Sequence, residues 1–238
     1  MPIGGGSFTV QNKVLPGAYI NFVSMGTNAK MGERGVAALP LELNWGPEGQ
    51  VFKLDAADFN ATSMKVFGYD PTDANILLVR EAMKRAKTLL IYRVNGGGTK
   101  ASATVGGMTV TAKYGGTRGN AIKVAVITNV DDATKADVVT YLDDMVMDSQ
   151  TVAKSGGAAS LVANDFVTFG TAATLAAATA TPLTGGTNAT VNAAKHTAAL
   201  TAFEVETFNV IGYPGTVEDI KSLYAAFVKR LRDDEGKK

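Results

Sequence analysis

Cysteine is absent from the 238-residue chain, and histidine occurs once. Without thiols the chain can form no disulfide, iron–sulfur cluster or thiolate zinc site. One histidine leaves no pair to hold a metal, and any Ser-His-Asp arrangement would have to use His196. That residue lies in "NAAKHTAALTAF", an Ala-rich stretch of helical character, and reads as a surface or half-buried helix position. Excess charge of either sign is also missing, with 23 basic and 22 acidic side chains. Nucleic-acid binding needs clustered positive charge, so no nucleic-acid partner is expected. No run approaches the ~20 consecutive apolar residues of a membrane-spanning helix. The first residues also lack the basic and apolar regions of a secretory signal. A membrane partner is not expected either.

What is present alternates between two kinds of pattern. Residues 1–17 are thin in apolar content and read as an extended N-terminal arm. Within it "SFTV" (Ser7, Phe8, Thr9, Val10) is the strand-like patch, and Gly4, Gly5 and Gly6 precede it. A short β-forming patch can be donated to an exposed sheet edge. Residues 18–95 predict the first part of an α/β domain, β-rich to about Phe67. Its strand candidates are "AYINFV", "RGVAALPLEL" and "GQVFKL". Pro40 in the second argues for an edge strand or a bend, and "WGPEG" reads as a turn. "YDPTDANILLVREAMKRAK" predicts a helix with Pro71 at its first position. Ile76, Leu77, Val79, Arg80 and Met83 would form its imperfect apolar stripe. "TLLIYRV" is the continuous apolar run expected of a strand covered on both faces.

Composition changes at "NGGGTK". Residues 96–189 are rich in Thr, Gly, Ala and Val, with strand candidates "SATVG", "MTVTAKY", "AIKVAVITNV", "DVVTYL", "MVMDSQTVA" and "DFVTFG". No long amphipathic helix interrupts them, which indicates an inserted antiparallel β-sandwich or β-barrel. Residues 190–238 predict the second part of the α/β domain. A helix over 190–205 leads to the strand "FNVIGYPG" and a final helix. Thr216 is placed to cap that helix, with Asp219 at capping-box distance. Val217, Ile220, Leu223, Tyr224, Phe227, Val228 and Leu231 share one apolar face, and Gly236 can end it. The fold class is therefore α+β or α/β, a partial α/β domain carrying an inserted β domain. A strand followed by an amphipathic helix is half of a crossover, so the domain is expected to continue beyond Lys238 in a longer polypeptide.

No motif carries chemistry convincingly. "YGGTRGN" has the glycine content of a phosphate loop, but a phosphate loop opens a helix, and "AIKVAVITNV" reads as a strand; a hairpin turn or bulge is expected. Asp131, Asp132, Asp137, Asp143, Asp144 and Asp148 are close in sequence, but the glycine and final glutamate of a calcium loop are missing. They read as solvated turns. Tyr213-Pro214-Gly215 follows a strand at the end where α/β sheets bind ligands, yet no general base or phosphate loop accompanies it. No catalytic residue, cofactor-binding residue or metal ligand is assigned, and no cofactor is expected.

Several segments taken in order resemble the contractile tail sheath proteins of myovirus-like phages and prophage-derived bacteriocins. They are "LPGAYINF", "ERGVAALPLELNWGP", the "F…VFGYD" helix entry, "LLIYRVNGG" before a β-rich insertion, and "GGTRGNAIKVAV" within it. The resemblance covers nearly all of the chain. It implies an α/β domain, assembled from N- and C-terminal portions, that faces a tail tube, with the inserted β domain projecting outward. It further implies a helical homo-oligomer whose subunits exchange terminal strands and contract to drive the tube through the host envelope. Neighbouring sheath subunits, the tail tube protein, and the baseplate and tail terminator proteins would be the partners. The protein would belong to the virion tail and assemble in the host cytoplasm. Ser7, Phe8, Thr9 and Val10 would supply the donated strand, and Gly4, Gly5 and Gly6 the hinge of the arm.

Two other functions compete on the residues alone. An α/β enzyme, hydrolase-like and carrying a β accessory domain, would place its remaining catalytic groups beyond Lys238. A β-rich carbohydrate-binding or adhesin module would need exposed aromatic platforms. The insertion offers Tyr114, Tyr141, Phe166 and Phe169.

Overall fold

The computed structural model describes residues 35–233. Along the chain the strands are β1 (Val36–Leu41), β2 (Val51–Asp55), β3 (Thr88–Arg93), β4 (Lys100–Val105), β5 (Met108–Gly115), β6 (Ile122–Thr128), β7 (Lys135–Leu142), β8 (Met145–Ala153), β9 (Val167–Phe169), β10 (Ala178–Pro182) and β11 (Val210–Ile211). The helices are α1 (Phe59–Phe67), α2 (Leu77–Met83), α3 (Ala193–Glu204) and α4 (Glu218–Asp233).

The first sheet has the order β11-β1-β3-β2, with β2 antiparallel to β3 and the other pairs parallel. Its helices lie on both faces, so β3 must be apolar on both sides. Leu89 and Ile91 pack in a cluster with Phe59, Phe67, Ile76, Val79 and Met83 of the α1–α2 region. Leu90 and Tyr92 point the other way, into a cluster with Leu200 and Phe203 of α3 and Ile220, Tyr224, Phe227 and Leu231 of α4. The period of two along a strand produces this division.

Residues between the two halves of this layer form two further sheets, of order β10-β6-β7-β8 and β4-β5-β9, with antiparallel pairings throughout. The insertion is an open sandwich of two sheets, not a closed barrel. Its core holds Val105, Met108, Val110, Ile122, Val124, Val126, Val138, Leu142, Phe166 and Leu175.

Local differences from the sequence reading have physical reasons. Strand β1 lies inside its sheet, although Pro40 suggested an edge. The carbonyls of Val36 and Ala38 face β11, where they accept from the Asn209 and Gly212 amides. By alternation the nitrogen of Pro40 also faces that side, past the end of the two-residue β11, where no ladder bond is required. The stretch before Phe67 contains a helix, α1, which buries Phe59, Ser63 and Phe67 at helical spacing and ends on Gly68 at φ 75°. Helix α2 starts later than Pro71. The Asp70 carboxylate accepts from the backbone and hydroxyl of Thr72, and Asp73 caps the 3₁₀ turn Ala74–Ile76. These local bonds hold a turn where a helix would otherwise begin. Helix α4 begins at Glu218, and the Val217 carbonyl accepts from the Lys221 amide, which leaves Thr216 one residue outside the cap. Strand β10 came from "ATATP", whose small, half-polar residues gave little strand signal.

Candidate functional site

The most elaborate polar constellation lies where the sandwich joins the α/β layer. Arg93 ends β3, two residues beyond Ile91, and is 1% exposed. Its Nε donates to Asn95 Oδ1 at 3.2 Å, and its Nη1 to the carbonyls of Gly46 at 3.1 Å and Gly115 at 2.8 Å. Its Nη2 donates to Asn188 Oδ1 at 3.2 Å. Only a guanidinium offers enough donors in a fixed plane to meet four such acceptors. These acceptors are neutral oxygens, so burial lowers the Arg93 pKa, and the charge of Glu48 opposes that shift. Asn188 donates onward to Asn44 Oδ1 at 2.9 Å, and Asn95 Oδ1 accepts from the Leu43 amide. The Lys195 ammonium reaches the Gly96 carbonyl at 3.0 Å, and Glu48 accepts from the Gly97 amide at 2.7 Å. Both chain crossings between the domains are thus held by side chains.

A second arginine crosses the junction in the opposite direction. Arg118 leaves the turn before β6, and its Nε donates to the Gly68 carbonyl at 2.6 Å. Its guanidinium lies over the Tyr69 ring at 4.3 Å and pairs with Asp143. Trp45, from the loop after β1 of the layer, is buried in the core of the sandwich. It is 1% exposed within the sandwich cluster, edge-on to Tyr114 at 5.3 Å and stacked on Phe166 at 6.5 Å.

"YGGTRGN" is this junction and not a hairpin turn, since β5 and β6 lie in different sheets, although the β4–β5 register does shift just before Gly115, as a bulge would make it. It runs from the end of β5 through the 3₁₀ turn Thr117–Ala121 into β6. Gly116 takes φ 134°, and a Cβ there would collide with the Asn44 carbonyl and the Arg93 guanidinium. Its glycines serve close backbone approach. "WGPEG" likewise holds more than a turn, because Trp45 leaves it for the neighbouring core. Neither role has a periodic signature; the buried Arg93 inside an apolar run was the available clue.

His196 is buried, not on the surface or half-buried. Its Nδ1 lies 3.2 Å from the Tyr224 hydroxyl, and its ring is edge-on to Tyr213 and Tyr224, which stack on each other. Burial lowers its pKa against the pull of Glu42. Burial raises the pKa of Tyr224, with Tyr213 adding to the shift. Five of the six acids engage side-chain or backbone partners, Asp143 through Arg118. Asp132 accepts from Thr134, Asp137 from Asn129 and Thr151, and Asp148 from Gln150 and Asn164. Asp144 pairs with Lys123. Among the described residues no three acidic or histidine side chains gather as a metal set, and no helix is long and apolar enough to cross a membrane. Phe166 and Tyr114 pack against Trp45, so they are not an exposed platform. Ser7, Phe8, Thr9 and Val10, the hinge Gly4, Gly5 and Gly6, the strand candidate "AYINFV" and Gly236 lie outside the described residues.

Among the described residues β11 is an edge strand of the α/β sheet. This strand pairs with β1 alone among the described strands. An apolar groove of about 400 Å³ runs beside it, lined by Phe208, Val210, Ile211, Val228 and Leu231 among others. Val210 is 58% exposed and Val228 39%.

Comparison with known proteins gives consistent matches. A model of the N-terminal region of tail sheath protein Gp18 domain III matches residues 34–94. A model of the phage tail sheath β-sandwich domain matches residues 96–188. Phage-like element PBSX protein XkdK of Bacillus subtilis is 39% identical over 259 residues, covering 99% of this chain and 54% of that protein. The crystal structure of a sheath tail protein of Desulfitobacterium hafniense aligns with TM-score 0.80 at 44% identity, over 93% of this chain and 51% of that one. A sheath tail protein of Listeria innocua aligns with TM-score 0.76 at 38% identity, over 86% and 46%. The chain spans about half the length of the curated relatives it matches.

Proposed function

The chain belongs to the phage tail sheath family, and from that premise we propose that it is the N-terminal portion of a structural subunit of a contractile tail. The subunits polymerise as a helix around a tail tube and contract to drive it through the host envelope. The observation that carries this reading is the pair of adjoining sheath matches across 34–94 and 96–188, on a fold that superposes on sheath tail proteins. The physical layout supports it. The junction commits its buried polar groups to holding two domains together, and His196 is occupied by tyrosines. Among the described residues no strand lies beside β11 on the side of the groove. In a polypeptide of the relatives' length, a strand following α4 would complete the crossover there, parallel to β11. The arm hypothesis stands beside this: Ser7, Phe8, Thr9 and Val10 would add a strand to a neighbouring subunit, with Gly4, Gly5 and Gly6 as its hinge.

The partners would be further sheath subunits, the tail tube protein, and the baseplate and tail terminator proteins, with assembly in the host cytoplasm. High-speed sedimentation of the complete gene product beside the 238-residue chain tests self-association. A pelleting polymer from the complete product, with the short chain left in the supernatant, is the expected result. Non-sedimenting complete product over the same concentrations would contradict it.

A further inference from the structure

We infer that the inserted β-sandwich is not an autonomous folding unit, and that the Arg93–Trp45–Arg118 clasp makes residues 35–233 one cooperative block. The default for an inserted domain on two crossings is independent stability and some relative motion. Three observations oppose that default here.

The first is ownership of the core. Trp45 comes from the α/β layer, in the loop after β1, yet it is among the largest fully buried side chains and sits in the sandwich cluster. Its ring contacts Tyr114 and Phe166, and Gly119 packs against it with room for no large side chain. Removing the layer would leave a tryptophan-sized hole in the sandwich.

The second is the direction of the arginines. Arg93 belongs to the layer and donates to Gly115 of the sandwich and Asn188 of the return crossing. Arg118 belongs to the sandwich and donates to Gly68 at the end of α1. Loosening the junction would strand a buried cation and several carbonyls without partners, which is far costlier than breaking surface pairs.

The third is backbone proximity. The two crossings touch at Gly98 and Thr187, closer than any side chain would permit. The Thr187 amide donates to the Thr99 carbonyl at 3.0 Å, and the Ala189 amide to Asn95 at 3.1 Å. The crossings form a short paired stem.

The test uses the whole 238-residue chain. Trp45 is its single tryptophan, so fluorescence reports the junction directly. Urea unfolding is followed by that fluorescence and by far-ultraviolet circular dichroism, and amide exchange is read by mass spectrometry in β1, β3, β6 and β7. Coincident transitions are expected. Arg93→Met should lower exchange protection in the layer and in the sandwich together, by at least about tenfold in each, because both open through the same event. Should that variant fail to fold, Arg118→Met is read in the same way. Two resolved transitions in the unmodified chain would overturn the inference. So would protection lost from one domain while the other keeps its own.

Discussion

His196 Nδ1 and the Tyr224 hydroxyl, 3.2 Å apart, join α3 to α4 across a buried contact. Burial holds the imidazole pKa below its ordinary value of 6.5. The folded ring is therefore neutral where the unfolded ring begins to charge. The stability this site contributes is fully present above pH 6.5 and declines as pH falls toward the folded pKa, because the unfolded state binds the extra proton first. The urea midpoint should fall between about pH 7.5 and about pH 5. His196→Gln should flatten that dependence, and an unchanged slope would contradict the burial.

Phe203 and Val205 lie at the same end of α3 but differ completely in environment, at 0% and 86% exposure. Phe203 meets Tyr92 and Phe208. Phe203→Ala should destabilise by about 3–5 kcal/mol, whereas Val205→Ala should stay within about 0.5 kcal/mol. Chemical denaturation of both variants checks the placement of α3 on the sheet.

Gly116 combines a left-handed backbone with contact against Asn44 and Arg93. Gly116→Ala should destabilise by about 2 kcal/mol or more, from backbone strain together with displacement of the guanidinium. The same substitution at Gly49, which has positive φ and open space around it, should give about 1 kcal/mol. Equal effects at the two positions would argue against the close packing at the junction.

The sheet edge at β11 gives a prediction for a polypeptide of the relatives' length. If a following strand fills the groove, amides of residues 208–211 will exchange more slowly in the complete gene product than in the 238-residue chain. Val210→Asp should then weaken the complete product more than the short chain, since Val210 is exposed in the latter. Equal exchange in both would place the continuation elsewhere.

How much could be read from the sequence followed from how locally each feature is determined. The run "TLLIYR" declared a strand covered on both faces because its apolar character is unbroken, and β3 is that strand. The antiparallel strands of the insertion other than β10 were legible from short apolar runs between glycine turns, and α4 from its repeat. By contrast, α1 was hidden in β-like surroundings because its buried positions include Ser63, a polar residue whose hydroxyl donates to the Tyr69 carbonyl. At the junction only Arg93, a charge inside an apolar run, and the glycines that follow it gave a sign. Trp45, Arg93, Gly116 and Asn188 are scattered along the chain, and their roles arise only when the fold brings them together. The burial of His196 depends in the same way on Tyr213 and Tyr224 arriving from a later part of the chain.

Polymerisation of the complete polypeptide into a sheath is the step that most needs testing. Negative-stain electron microscopy of the complete gene product, beside the 238-residue chain at equal concentration, tests it most directly. The account predicts hollow helical tubes from the complete product and none from the short chain. Monodisperse particles from both would contradict polymerisation.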